Sequence, residues 1–522
     1  MAPNGTDLDA QNRLIQQLLS HPESFGHATD DIDHIETHIS HLLLVGQYAY
    51  KIKKPLNLGF LDFSTLEKRR RNCEEELRLN QRMAPALYIE VVAIGGTLEH
   101  PEVSSANGHL EYAVKMRRFR QQDLLDERPL EREMIDRLAR LIADFHRQAG
   151  ISKDPAYGTA EHVLQPMLEN FRSIRALKQP LLEVERLNGL QTWTEQQVRQ
   201  LEPLLEERCQ AGSIRECHGD LHLGNITLFE GRITPFDGIE FNPALRWIDT
   251  LSDIAFLLMD LQHRGLNQAA DQLLNSYLEQ SGDYAGLPLL RFYLLYRAMV
   301  RAKVSAIRAA QPDLSHREQQ QQLDEYRSFV SLAESLIRHP PASLIVTHGV
   351  SGSGKSTVSG WFAEQLMAIR LRSDVERKRL FPEPVTDESA GPERYGAKAT
   401  RITYIHLNGM AKRLLRSGFS VMIDAACLKL WQRELFMRLA ESQQAPMLIL
   451  DCRAGESLLR ERVAQRNRQG ADASEADLEV LAWQQKTCEP FTPDEQERVI
   501  VIDTENFPPS GFLATVLQRL MR

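Results

Sequence analysis

Two short stretches hold the residue types that phosphoryl transfer needs. The first runs from Glu216 to Asn225. It contains His218-x-Asp220-x-x-x-x-Asn225 and is followed by Pro235-Phe236-Asp237-Gly238. An acid in such a loop can accept the proton of an attacking hydroxyl, while an amide and a second acid carry Mg2+ between nucleotide phosphates. This assigns Asp220 as base and Asn225 and Asp237 as metal ligands. A different reading makes His218, Asp220 and His222 the ligands of a metal hydrolase, but it leaves Asn225 and Asp237 without a role. The second stretch, Gly349-Val350-Ser351-Gly352-Ser353-Gly354-Lys355-Ser356, matches GxxxxGK[ST] and precedes a helical pattern from Thr357 to Met367. Its glycines allow close backbone approach, and its N–H groups and the helix start cradle phosphates. Lys355 reaches the β- and γ-phosphates, and the Ser356 hydroxyl meets Mg2+.

Other residues complete each set. Lys51 and Lys53 lie on one face of a strand, since side chains alternate with period two. A mid-strand ammonium needs a partner. The charged helix from Leu66 to Met83 offers Glu74, Glu75 and Glu76, a pairing by which kinases hold the α- and β-phosphates. In the second set, Asp374 ends a strand, where an acid can orient or deprotonate an acceptor hydroxyl, and Arg377 can grip an anionic acceptor. Asp424 ends another strand as a Walker-B-type acid for Mg2+. Arg460, Arg462, Arg466 and Arg468, with a loop through Gly470, read as a lid over the phosphates.

The positioning elements follow from periodicity. A helix is expected over Asp9–Leu19 and a strand pattern over Ile32–Val45. Gly46-Gln47 turns the chain into the strand Tyr48–Lys53. Further strands cover Val91–Ile94 and Tyr112–Met116, with Asn107-Gly108 as a turn between Pro101 and Leu110. Met116 to Phe119 leaves the sheet where a base could meet backbone groups. The helix Glu131–Gln148 and helices over 160–177 and 194–209 follow. A hairpin of Ile226–Phe229 and Ile233–Phe236 puts Asp220 and Asn225 on the loop before it and Asp237 on the loop after it. Helices over Ile248–Leu261, 267–281 and 287–309 and an exposed helix to Arg338 lead to His339-Pro340-Pro341-Ala342, where prolines end one domain. Asp253 is expected to bond the loop backbone or face solvent. Beyond residue 342, strands at 343–348, 369–374, 419–424, 446–451 and 498–502 alternate with helices. That order predicts a parallel sheet with helices on both faces. The expected domains are therefore 1–338, with a small lobe at about 30–118 and a helical large lobe at about 119–338, a linker at 339–342, and 343–522.

Bulk properties exclude other classes. A net charge of −9 over 522 residues argues against nucleic-acid binding. Six cysteines without CxxC spacing indicate neither a disulfide frame nor a zinc site. No apolar run approaches the length of a membrane span, and Met1–Asp9 does not read as a signal peptide, so a cytoplasmic setting is expected.

With these motifs in view, residues up to about 340 resemble the aminoglycoside phosphotransferase family, with its α+β protein-kinase-like fold. The likeness is carried by Cys217–Asn225, Phe236-Asp237-Gly238 and Tyr48-Ala49-Tyr50-Lys51. The remaining ~180 residues resemble the small α/β P-loop kinases of the polynucleotide- and gluconate-kinase type, through the phosphate loop, Arg372-Ser373-Asp374-x-x-Arg377 and the arginine-rich lid. Together they resemble a bacterial bifunctional fusion of the two. The resemblance implies ATP and Mg2+, with hydroxyl compounds as acceptors. It implies Asp220 as catalytic base, Asn225 and Asp237 as metal ligands, and Lys51 as the phosphate lysine with Glu76 as its helix partner. An alternative within the same architecture is a regulatory protein in which one domain senses ATP without turnover.

Overall fold

The computed structural model describes residues 5–27, 32–59, 61–106, 108–177, 183–311, 314–338, 341–382, 396–469, 476–508 and 511–520. The turn residue Asn107, the linker residues His339 and Pro340, and the lid loop at Gly470 fall outside these. The chain divides into two compact units: Met1–Gly265 with Phe292–Ala333, and Leu266–Arg291 with Glu334–Arg522.

The first unit carries a six-stranded antiparallel sheet. Its strands are β1 (Ile32–Glu36), β2 (Ser40–Val45), β3 (Tyr48–Lys53), β4 (Tyr88–Gly96), β5 (Pro101–Val103) and β6 (Glu111–Arg117), in the order β1-β2-β3-β6-β4-β5. The stretch Ile32–Val45, expected as one strand pattern, is two strands paired antiparallel. Thr37 turns the chain there by accepting from Ser40 N–H at 3.0 Å through its hydroxyl. Period two along β3 decides what each face meets. Tyr50 and Ile52 pack with Leu14, Ile15 and Leu18 of the helix Gly5–Ser20. Ala49 packs with Cys73 of the helix Leu66–Asn80, and Lys51 and Lys53 share that face. Beyond the sheet the unit is mainly helical. Two short ribbons interrupt it: β7 (Ile214–Glu216) with β10 (Trp247–Asp249), and β8 (Ile226–Phe229) with β9 (Arg232–Pro235).

The second unit holds a five-stranded parallel sheet of β11 (Leu344–His348), β12 (Ile369–Arg372), β13 (Val421–Asp424), β14 (Met447–Arg453) and β15 (Val499–Asp503), ordered β12-β13-β11-β14-β15. Its core joins Ile345, Met422, Leu448 and Ile500 to Val358 and Phe362 of the helix Lys355–Gln365. The helix Asn267–Ser281 belongs to this unit. Its Glu279 holds Arg370 at 2.5 Å and Arg372 at 3.2 Å at the end of β12. No described helix is long and apolar enough to cross a membrane.

Candidate active sites

In the first unit, Lys51 Nζ lies 2.9 Å from Glu76 Oε1 and also pairs with Asp237 Oδ1. Lys53 Nζ is 2.6 Å from Glu76 Oε2 and pairs with Glu240. The Glu76 side chain is fully buried. Burial alone would push the Lys51 ammonium toward neutrality, but Asp237 and Glu76 outweigh it and hold its pKa well above the usual range. Burial likewise raises Glu76, and Lys51 and Lys53 more than reverse that, so its carboxyl is held below its ordinary range. At Glu240 burial wins and the carboxyl is raised. Glu75 instead meets Arg78 and Arg246, both at 2.7 Å, and Glu74 lies exposed beside Arg70. Of the three glutamates offered by the sequence, Glu76 is the one the lysines meet.

The loop bearing Asp220 turns at Gly219, whose φ is +87°. A Cβ there would sit 2.7 Å from the Leu245 carbonyl oxygen, so a side chain is excluded. The helix Thr250–His263 fastens this loop. Asp253 accepts from the N–H groups of His218 at 3.1 Å and Gly219 at 2.8 Å, and meets His146 Nε2 at 3.1 Å. Burial raises the Asp253 carboxyl, but the His146 hydrogen bond and charge bring it down to about 2. Two turns later, Asp260 accepts from Leu223 N–H at 2.9 Å. Arg297 donates to the Gly219 carbonyl at 3.0 Å.

Asn225 Nδ2 donates to Asp220 Oδ2 at 3.0 Å and so steadies the acid. The loops before and after the β8–β9 hairpin are stitched together by Phe236 N–H to Asn225 O and Ile239 N–H to His218 O, both at 2.9 Å. Asp237 takes a left-handed φ of 62°. That conformation is unusual for a residue with a side chain, and the structure holds it with Asp237 N–H on Tyr88 OH at 3.2 Å and Gly238 N–H on Asn80 Oδ1 at 2.8 Å. Burial raises the Asp220 carboxyl, but His222, His218 and Arg301 pull it well below the ordinary range. It is therefore an ionised acceptor at neutral pH. The His218–Asp220–His222 ligand set is not formed. His218 Nε2 is committed to the Phe236 carbonyl at 2.9 Å, and Nδ1 faces Asp220 N–H at 3.4 Å. Only His222 approaches Asp220, at 3.5 Å.

In the second unit, a cavity of about 750 Å3 is lined by Ser351, Gly352, Gly354, Lys355, Ser356 and Thr357, and brings to them Asp374, Arg377, Asp424, Arg462 and Arg466. Gly349 and Ser353 of the same loop do not line the cavity, and Ser353 is buried. A Cβ on Gly349, at φ +144°, would come within 2.5 Å of Ser353 Oγ and 2.7 Å of the Cys452 carbonyl oxygen. Lys355 Nζ donates to the Val350 carbonyl at 2.8 Å, and burial pushes its pKa down. Asp374, expected at a strand tip, sits in the first turn of the helix Ser373–Leu380. Of the four lid arginines, Arg460 turns outward to Glu456, and Arg468 bonds within its own helix. Arg462 is braced by Gly352 and Thr504, and Arg466 by the Ala476 carbonyl at 2.6 Å.

Both sites fit a divalent cation by their donors. Ser356 Oγ lies 3.5 Å from Asp424 Oδ1, and Asp424 Oδ2 is buried without a hydrogen bond, with Arg372 Nε ion-paired to it at 3.5 Å. At the first site, the Asn225 amide spends its nitrogen on Asp220, which leaves its oxygen free to act as a ligand. Sequence reasoning missed Glu240, Asn80, Tyr88, Asp260 and Gln484, the last of which accepts from Ser351 N–H at 2.7 Å. Each acts on residues tens to more than a hundred positions away, so spacing carried no signal for them.

An ion-paired lysine beside an acid–amide loop in one unit, and a phosphate loop in the other, are the features of two kinase-type domains. The Phosphotransferase enzyme family matches residues 60–293, and an AAA domain family matches residues 344–491. A protein of Mycobacterium tuberculosis (strain ATCC 25618 / H37Rv), described as Uncharacterized protein Rv2004c, is 30% identical over 465 residues, which is 87% of this chain and 90% of that one. One of Mycobacterium bovis matches to the same extent. The chain belongs to this two-domain family, a phosphotransferase domain joined to a P-loop kinase domain, and acts as a phosphotransferase on hydroxyl groups. Among solved structures, amicoumacin kinase hAmiN shares 14% identity at a TM-score of 0.39, over 63% of this chain and 95% of that one. A gluconokinase from Sinorhizobium meliloti 1021 shares 26% at a TM-score of 0.23, over 35% and 91%.

Proposed function

We propose that both domains, 1–338 and 343–522, transfer the γ-phosphoryl group of ATP to hydroxyls of small molecules in the cytoplasm. One observation carries the reading for the first domain: Lys51 bridges Glu76 and Asp237 at once. A lysine so held presents a fixed cation to the nucleotide phosphates. Asp220 accepts the acceptor's hydroxyl proton, Asn225 orients it, and the helix Thr250–His263 keeps the loop from shifting. In the second domain, Lys355 and the loop N–H groups gather the phosphates, Arg462 and Arg466 close over them, and Asp374 takes the hydroxyl proton. Asn225 and Asp237, and separately Ser356 and Asp424, would hold Mg2+, which when bound neutralises phosphate charge. The acceptor wall of the second site carries Arg377 and Lys429, which suits an anionic hydroxyl compound. The test is ATP consumption over a panel of hydroxyl compounds by Asp220→Ala and Lys355→Ala. Each substitution should abolish turnover of a different acceptor set. If neither changes turnover or nucleotide affinity, both assignments fail.

A further inference from the structure

One peptide unit of the phosphate loop is held from both sides. The Val350 carbonyl accepts from Lys355 Nζ at 2.8 Å, and the adjoining Ser351 N–H donates to Gln484 Oε1 at 2.7 Å. Gln484 sits on the helix Leu478–Thr487 and lines the same cavity as Lys355, Asp374 and Asp424. The helix is well seated. Leu481 packs with Leu459 and Val463, against which Val350 itself packs, and Asp477 caps its start through Glu479 N–H at 3.1 Å and Val480 N–H at 3.0 Å. The bond to Ser351 decides which way the carboxamide faces, because only its oxygen can accept from an N–H. Nε2 is thereby left as a donor at the cavity, and no hydrogen bond from it is made among the described residues.

Gln484 is half-buried on the wall of a phosphate-gathering cavity, where its free donor can serve an acceptor oxygen of a bound nucleotide. Lys355 is the group that reaches the β- and γ-phosphates in a loop of this pattern. The Gln484 carboxamide is one peptide unit from its ammonium, on the order of 7 Å. We propose that Gln484 is a further catalytic residue of the P-loop site: Nε2 donates a hydrogen bond to the γ-phosphoryl group while Oε1 stays on Ser351. This rests on the P-loop reading above. In the transfer, the acceptor oxygen bonds to the γ-phosphorus, the bond to the β,γ-bridging oxygen breaks to release ADP, and the hydroxyl proton passes to Asp374. Gln484 exchanges no atoms and stabilises the oxygens in flight. Its contact exists with a triphosphate and not with a diphosphate.

The experiment is titration of the full chain with Mg-ADP and with Mg-AMP-PNP, with Lys355→Ala used to mark which binding component belongs to the P-loop. Gln484→Glu keeps an oxygen for Ser351 but removes the donor and adds a negative charge. It should weaken AMP-PNP in that component by about tenfold or more and leave ADP within about threefold. Gln484→Leu, neutral and unable to donate, should also weaken AMP-PNP more than ADP. Equal weakening of both nucleotides, or no change in either, overturns the proposal and leaves Gln484 as a brace. If Lys355→Ala removes no binding component, the P-loop reading fails first and the Gln484 assignment falls with it.

Discussion

Lys51 and Lys53 are two residues apart, share one face and share Glu76, yet they do different work. Lys53 is wholly buried between Glu76 and Glu240, whereas Lys51 also reaches Asp237 at the site. Lys53→Met strands buried carboxylates and should cost about 3–5 kcal/mol of stability, measured by denaturant unfolding. Lys51→Met should lose most ATP turnover at the first site with a smaller loss of stability. The Asp220 carboxyl is held low mainly by His222 against the opposing effect of burial. Because its pKa is depressed, Asp220 stays a competent base down to pH values below the ordinary carboxylate range. In His222→Ala the acid limb of kcat/KM for the first acceptor should move to higher pH. The sequence offered Glu74, Glu75 and Glu76 as partners, and only the family resemblance favoured Glu76. In the structure Glu76 lies among the buried residues of its helix, with Arg69, Cys73, Leu79 and Asn80, while Glu74 and Glu75 fall off that stripe. Glu240 was not recoverable, since only folding brings residue 240 to residue 53.

Among elements, the helix Thr250–His263 does most to position the first site, with Asp253 and Asp260 each gripping backbone of the Asp220 loop. Asp253 is buried, and its folded pKa of about 2 lies below the unfolded value of ~3.9. The sign is therefore that of a depressed acid: its contribution is complete above pH ~4 and fades as pH falls through about 2. Asp253→Asn should lower kcat at the first site at least tenfold and destabilise the chain by roughly 1–3 kcal/mol at neutral pH, with the stability difference from the unsubstituted chain shrinking in acid. Strands and helices were legible wherever periodicity ran unbroken, as in Tyr48–Lys53 and Glu131–Gln148. The stretch Ile32–Val45 was less legible, because its alternation of Ile35, Thr37 and Ile39 with polar residues continues across a tight turn at Thr37 that no Gly or Pro announces.

At the scale of the whole molecule, two kinase-type domains of different architecture lie in one chain. The strand–loop–helix order around Gly349 and the hairpin between Asn225 and Asp237 were legible because their motifs are local. Placement of Leu266–Arg291 with the second unit was not, because Glu279 meets Arg370 and Arg372 only through tertiary packing. Removal of divalent cations with a chelator should stop turnover of every acceptor, since both sites offer a cation an acid beside an amide or hydroxyl oxygen. The central claim is that the chain holds two separate catalytic nucleotide sites. The most direct measurement is Mg-AMP-PNP stoichiometry by calorimetry on the full chain, on Asp237→Ala and on Lys355→Ala. The account predicts two nucleotides per chain, and one remaining in each variant. A single nucleotide bound by the unsubstituted chain, or two retained in either variant, would contradict it.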